Sequence, residues 1–289
     1  MRAKPNKRRL SRKVILTERD IELFGALWSF GVLTRNQIQQ YFDWKCVSDI
    51  NRRLRKLFDA GYLDRRFLAR QFGTTPAVYV LGNESTTIVA KEKKLDLSLV
   101  NRRRYRFRNL SDNLLPHELL ISEFGCLLEN VFRRYAGSEL HDWKNDEEIA
   151  GICNTIEEVA DRALKPDAYG VYHLNKTLFN FFLEADLGTE PLSRIKYKVE
   201  LYRSFKTSGL FERNFGRQAF RLIFITTSGI RARNISQAIP ATDDLKIFIG
   251  NIDAVRSDPI FAPVWMIPGK SRAIPLNDSP GSFIRGEKI

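Results

Sequence analysis

Asp167, Glu184 and Asp186 are the residues whose types and spacing could do chemistry. Glu184 and Asp186 close the segment FNFFLEADL, residues 179–187, where three apolar side chains run directly into two acids. Side chains of an extended strand alternate between faces, so the two acids project from one side with Cα atoms roughly 7 Å apart. If KPDAYG, residues 165–170, runs antiparallel beside them, Asp167 at the start of its strand comes close to the end of theirs. Three converging carboxylates repel one another, and a divalent cation is the usual remedy. Oxygen-only ligands select Mg2+ or Mn2+ over zinc. Such an ion could polarise a scissile phosphate and lower the pKa of an attacking water.

These acids need a sheet to hold them, and the surrounding pattern supplies one. KPDAYGVYHL and FNFFLEADL read as a hairpin turning near Asn175 and Lys176. From Thr189, a candidate cap, EPLSRIKYKVELYRSF predicts a helix with Leu192, Ile195, Val199 and Tyr202 inward. FRLIFITT is a continuous apolar run suited to a central strand, RNISQAI is helical, and LKIFIGN is a further strand. Upstream, LPHELLISEFGCLLENVFRR predicts a helix with Pro116 at its start and Leu120, Phe124, Leu127 and Val131 along one side. The acidic stretch that follows, to about residue 163, carries no clear period. Helix, strands, helix, strand is the order of a mixed α/β layer fold.

The front third has a different character. Residues 1–108 hold 25 Lys and Arg against 10 Asp and Glu, a net charge of +15, whereas residues 109–289 are near neutral at −2. Charge so concentrated implies a polyanionic partner, since each phosphate contact releases condensed counterions. Thr17 with Asp20 opens one helix, which stops near Gly31, and Thr34 with Gln37 forms a capping box for a second. Ser48 or Asp49 caps a third, in which Ile50, Leu54 and Leu57 face inward while Asn51, Arg52, Arg53, Arg55 and Lys56 point elsewhere. Two β-rich segments, YLDRRFLAR and AVYVLG, are joined by a turn at Gly73 and Pro76. A basic arm, MRAKPNKRRLSRK, precedes all this. NRRRYRFR, with Arg102, Arg103 and Arg104, reads as a basic linker in which Tyr105 or Phe107 could stack on an unpaired base.

Three helices followed by a hairpin resemble the winged-helix domain, in which the third helix enters the major groove and the hairpin lies along the backbone. By that resemblance Asn51, Arg52, Arg53, Arg55 and Lys56 meet double-stranded DNA, Arg65, Arg66 and Arg70 are wing contacts, and Arg102, Arg103 and Arg104 add phosphate contacts. Pro166-Asp167 followed by Glu184-x-Asp186 resembles the PD-(D/E)xK signature of restriction-endonuclease-like folds. EADLGTEPLSRIKYKVELY resembles the replication-relaxation family of plasmids and other mobile elements, over residues of about 14 to 250. That family joins a winged helix to such a domain and includes MobC-type relaxases, which nick one strand at a transfer origin.

The resemblance implies a metal-dependent endonuclease with Asp167, Glu184 and Asp186 on the ion, acting at an origin that can be partly single-stranded. Where the usual signature ends in Lys this chain has Asp186, and Lys198 or Lys196 on the next helix could reach back to the site. The rival reading is a DNA-binding protein without catalysis. A homodimer, or an assembly with other mobilization or replication proteins, is compatible with either. Glu118, Glu123 and His117 read as solvated or structural groups, and Tyr202 as a packing residue.

The implied organisation is an arm over 1–13, a winged helix over 14–100, a linker over 101–112, a nuclease-like domain over 113–267 and a tail over 268–289. No run approaches the ~18 apolar residues of a membrane span, and three scattered cysteines suggest neither a disulfide framework nor a zinc site. A cytoplasmic setting without a membrane partner is the expectation. His117, His141 and His173 are too scattered for a histidine metal cluster, and no GxxxxGK(S/T), GxGxxG or GxSxG run occurs.

Overall fold

The computed structural model describes residues 8, 14–67, 77–153, 164–175 and 177–277. The chain is mixed α/β and divides into two compact units, Met1–Cys126 and Leu127–Ile289.

The first unit contains α1 (Glu18–Phe30), β1 (Leu33–Thr34), α2 (Arg35–Tyr41), α3 (Val47–Asp59), β2 (Leu63–Phe67), β3 (Ala77–Leu81), α4 (Asn83–Lys93), α5 (Leu97–Arg108) and the first part of α6 (Leu115–Phe132). Its three strands form an antiparallel sheet in the order β1-β3-β2. Both expected helix starts are present. The Thr17 N–H donates to Asp20 Oδ2 at 2.7 Å, and Thr34 and Gln37 exchange bonds of 2.7 and 3.2 Å. Each satisfies donors that a helix end leaves without partners. α3 starts earlier than the expected Ser48 or Asp49, because Cys46 occupies the cap position, without a side-chain cap bond. Its seam of Ile50, Leu54 and Leu57 is buried as the spacing requires. The turn at Gly73 and Pro76 and the wing residue Arg70 lie outside the described residues, as does the arm except Arg8.

The linker expectation is corrected. Residues 101–108 belong to α5, and Arg103 and Phe107 are buried in the first unit. Phe107 packs with Val32, Val78 and Val80, and its ring fills the space beside Gly31, where a Cβ would lie 2.3 Å from ring Cζ. Gly31 also has φ +83°, so glycine is required there twice over. The basic composition of 101–108 hides the two positions that anchor the helix.

The second unit contains the rest of α6, β4 (Ser138–Asn145), α7 (Asp146–Cys153), β5 (Ala168–Leu174), β6 (Thr177–Asp186), α8 (Leu192–Thr207), α9 (Leu210–Phe215), β7 (Arg221–Thr226), α10 (Gly229–Ala238), β8 (Lys246–Asn251) and α11 (Ile252–Val255). The five strands lie in sequence order; β4, β5 and β6 pair antiparallel in succession, while β7 and β8 continue parallel to β6. The β5–β6 hairpin turns at Asn175, which has φ +47°. α8 begins after Pro191, two residues beyond the expected Thr189.

One face of this sheet packs Phe182, Leu222, Phe224, Ile247 and Ile249 against Ile195, Val199, Tyr202 and Phe205 of α8 and Ala232 and Ile235 of α10. On the other face Phe181 faces Gly170 across the strands, and a Cβ on residue 170 would lie 2.2 Å from the Phe181 ring. The acidic stretch without a period contains β4 and α7, and β4 carries alternating exposed positions, as befits an edge strand. The second unit also keeps residues assigned to a tail from 268 onward. Ile274 pairs with Trp265, and Leu276 is fully buried with its carbonyl accepting from Arg221 at 2.6 Å.

Candidate functional site

β5 and β6 pair with Ala168 opposite Leu183, so the residue before β5, Asp167, comes to the level of Glu184. Its backbone N–H donates to the Leu183 carbonyl at 3.1 Å, and its Oδ2 accepts from the Ala185 N–H at 2.7 Å. Alternation along β6 sends Glu184 to the same face as Phe182, toward α8. Glu184 is 2% exposed there. Lys198 Nζ donates to its Oε2 at 2.9 Å and the Tyr202 hydroxyl donates to its Oε1 at 2.6 Å. Lys198 and Tyr202 are four residues apart and so share one face of α8. Lys198 Nζ also lies 3.0 Å from Glu190 Oε2. Of the two lysines that could reach back, Lys198 does so, and Lys196 is exposed.

Asp186 is drawn elsewhere. Its Oδ2 accepts from Arg231 Nε of α10 at 2.6 Å, and its Oδ1 accepts from the Gly188 N–H at 2.7 Å, closing a turn in which Gly188 has φ +87°. Arg231 also donates to the Glu190 carbonyl. Among the described residues, no group of three or more His, Cys, Asp or Glu side chains is placed to hold a metal ion. The expected gathering of three carboxylates is therefore reduced to the pair Asp167 and Glu184, because a cation from α10 takes the third.

Burial pushes the Glu184 carboxyl up to about 7, and the negative charge of Asp167 adds to the rise; Lys198 and the Tyr202 hydroxyl pull the other way. Burial alone would lower Lys198, but the Glu184 and Glu190 carboxylates outweigh it and hold the ammonium protonated well above its ordinary value. Desolvated Glu184 and half-buried Asp167 offer two hard-oxygen donors of like charge, the chemistry that could hold a small divalent cation.

The raised carboxyl has a sign that can be measured. A folded-state value above the unfolded one means that stability is greatest below the unfolded value, near 4.5, and is lost as pH rises through about 7. With divalent ions chelated, the native chain should lose roughly 3 kcal/mol more than Glu184→Gln between those limits. Urea unfolding of both proteins across that range checks this, and parallel curves would contradict it.

The residues expected on DNA divide sharply. Asn51, Arg52 and Lys56 are exposed on α3, with Arg52 within 2.8 Å of Asp49. Arg102 is exposed on α5. The others among the described residues are engaged within the first unit. Arg53 pairs with buried Asp20 and donates to the Ile15 carbonyl; Arg55 pairs with Asp59 at 2.7 Å. Arg65 lies over the Phe58 ring at 4.2 Å, and Arg66 binds the Leu110 carbonyl and Asp112. Arg103 is 2% exposed and donates to the Trp28 and Ser29 carbonyls; Arg104 meets Asp64 at 2.8 Å. Half-buried arginines spend their charge on the fold because a desolvated guanidinium needs acceptors.

Sequence reasoning leaves out three members of the site. Tyr202 packs inward as expected but also holds Glu184. Glu190 lies in the acid-rich phrase but reads as the first helical residue. Arg231 is 45 residues from its partner Asp186, and no local pattern links them. Glu118, expected to be solvated, is paired with Arg106 at 2.8 Å.

A family model described as replication-relaxation matches residues 24–218. No curated protein and no solved structure matches the chain.

Proposed function

Because the chain belongs to the replication-relaxation family, we propose that it processes DNA of a plasmid or other mobile element, nicking one strand at an origin with Mg2+ or Mn2+. The first unit acts as a winged helix that holds the duplex through Asn51, Arg52 and Lys56 of α3, and the second cleaves the phosphodiester. The single observation that carries this reading is the buried Glu184 carboxylate at the end of β6, with Lys198 on it and the half-buried Asp167 across from it.

Asp167 and Glu184 hold the ion, which when bound supplies charge at a phosphate oxygen and acidifies a water. Tyr202 fixes the orientation of Glu184 by its hydroxyl. The Lys198 ammonium lies beside Glu184 and offsets the negative charge that develops on the phosphate. Arg231 keeps Asp186 turned away, so the position usually filled by lysine is neutralised by an arginine.

The test is relaxation of a supercoiled plasmid carrying the element's origin, with Mg2+. Asp167→Ala and Glu184→Ala should each reduce nicking at least ~100-fold, on the scale of removing one electrostatic contributor, and leave gel-shift binding intact. A second reading, a binding protein without catalysis, is favoured by one fact: both Glu184 oxygens already have protein partners. Nicking that survives both substitutions would establish that reading.

A further inference from the structure

The helix formed by residues 97–108 has two faces with different fates. Arg103 and Phe107 are buried, and Arg104 and Arg106 are taken up by Asp64 and Glu118. The opposite face presents Asn101, Arg102, Tyr105 and Arg108 to solvent. Tyr105 is 69% exposed, a large aromatic side chain that adds nothing to the core. Its backbone carbonyl accepts from Asn109 Nδ2 at 2.8 Å and from the Asn109 N–H at 3.1 Å. Arg108 is 56% exposed at its side chain and 3.7 Å from Asp64, a loose approach compared with the 2.8 Å contact of Arg104 to the same carboxylate.

Arg102, Tyr105 and Arg108 follow one another at intervals of three. At 100° and 1.5 Å per residue they fall within an arc of about 120°, with Tyr105 midway and the backbone of each arginine about 4.5 Å from it along the axis. An aromatic ring between two cations could serve a protein partner or a nucleic acid. The charge decides: residues 1–108 carry +15. Within a duplex the bases are hidden in the stack, and a surface ring reaches only sugar and phosphate. An unpaired nucleotide exposes its π-face, and every base has one.

We propose that this face of α5 is a binding site for single-stranded DNA, distinct from the duplex contacts of α3. A base stacks on Tyr105 while Arg102 and Arg108 hold the phosphates on either side. This rests on the reading of the first unit as a DNA-binding unit, and it assigns that unit a second form of DNA: the strand freed when an origin opens.

The test uses the full chain and two labelled probes, a single-stranded oligodeoxythymidine and a mixed-sequence duplex, with affinities read by fluorescence anisotropy. Tyr105→Ala should weaken oligodeoxythymidine binding by about five-fold to a hundred-fold, the range for loss of one stacked base, and leave the duplex affinity unchanged. Tyr105→Phe should bind both probes as the native chain does, because stacking needs the ring and not the hydroxyl. Arg102→Ala with Arg108→Ala should weaken oligodeoxythymidine binding and flatten its salt dependence. Arg52→Ala with Lys56→Ala should weaken only the duplex. If that last pair changes nothing, the α3 reading falls while the α5 site stands. If Tyr105→Ala binds oligodeoxythymidine as tightly as the native chain, or loses both probes equally, the α5 site is overturned.

Discussion

Lys198→Ala is expected to abolish nicking and to weaken the fold at the same time. Its ammonium is the only cation within hydrogen-bond distance of buried Glu184 among the described residues. Removing one partner of a buried ion pair leaves a desolvated charge and costs about 3–5 kcal/mol. It also removes an influence that holds the Glu184 carboxyl down, so that group rises above its native value of about 7. The added loss is therefore larger at pH 8, where the native carboxylate is ionised and paired with Lys198, than at pH 5, where Glu184 is protonated in either protein. Urea unfolding at the two pH values, with plasmid relaxation alongside, reads both consequences. Lys196→Ala is the control and should change neither, because its side chain is exposed. Equal losses for the two lysines would show that Lys198 has no special relation to Glu184.

Arg53→Ala is expected to cost about 3 kcal/mol of stability without weakening DNA binding per folded molecule. Asp20 is 3% exposed. Burial would raise its carboxyl, but Arg53 and the Thr17 bonds overcome this and hold it below the ordinary carboxylate value. Such a group stabilises the fold above the unfolded carboxyl's range and loses that contribution as pH falls through the folded value. Arg53→Ala should therefore cost most at neutral pH and progressively less in acid. Lys56→Ala, by contrast, should leave stability within about 0.5 kcal/mol of native and reduce duplex affinity and its salt slope. A fall in duplex affinity for Arg53→Ala equal to that of Lys56→Ala, at full folding, would return Arg53 to the interface.

The two predictions bear on what the written order of residues reveals. Period and capping chemistry are local, so α1, α2, the seam of α3, the β5–β6 hairpin and the inward face of α8 are legible before any coordinates. Strand parity is local too, which is why Glu184 and Asp186 are correctly placed beside one end of the sheet and Asp167 across from Glu184. What a side chain meets once it is there depends on contacts across long stretches of chain. Asp186 reads as the third ligand until Arg231 arrives from α10. Arg103 reads as a phosphate contact until the carbonyls of Trp28 and Ser29 close on it, 75 and 74 residues away. Composition misleads most where arginine is abundant, because its long apolar stem and five donors serve a packed interior as well as a phosphate. The run at 101–108 is the clearest instance, reading as one basic segment and folding as a helix with a buried face and an exposed one.

Catalysis as proposed requires a divalent ion between Asp167 and Glu184. Titration of the full chain with Mn2+, followed by the loss of its free paramagnetic signal, asks this without any DNA present. One ion per chain is expected for the native protein and for Asp186→Asn, and none for Asp167→Asn or Glu184→Gln. A native chain that binds no Mn2+, or binds it as well when both carboxylates are replaced, would contradict the assignment and leave Asp167 and Glu184 serving only the fold.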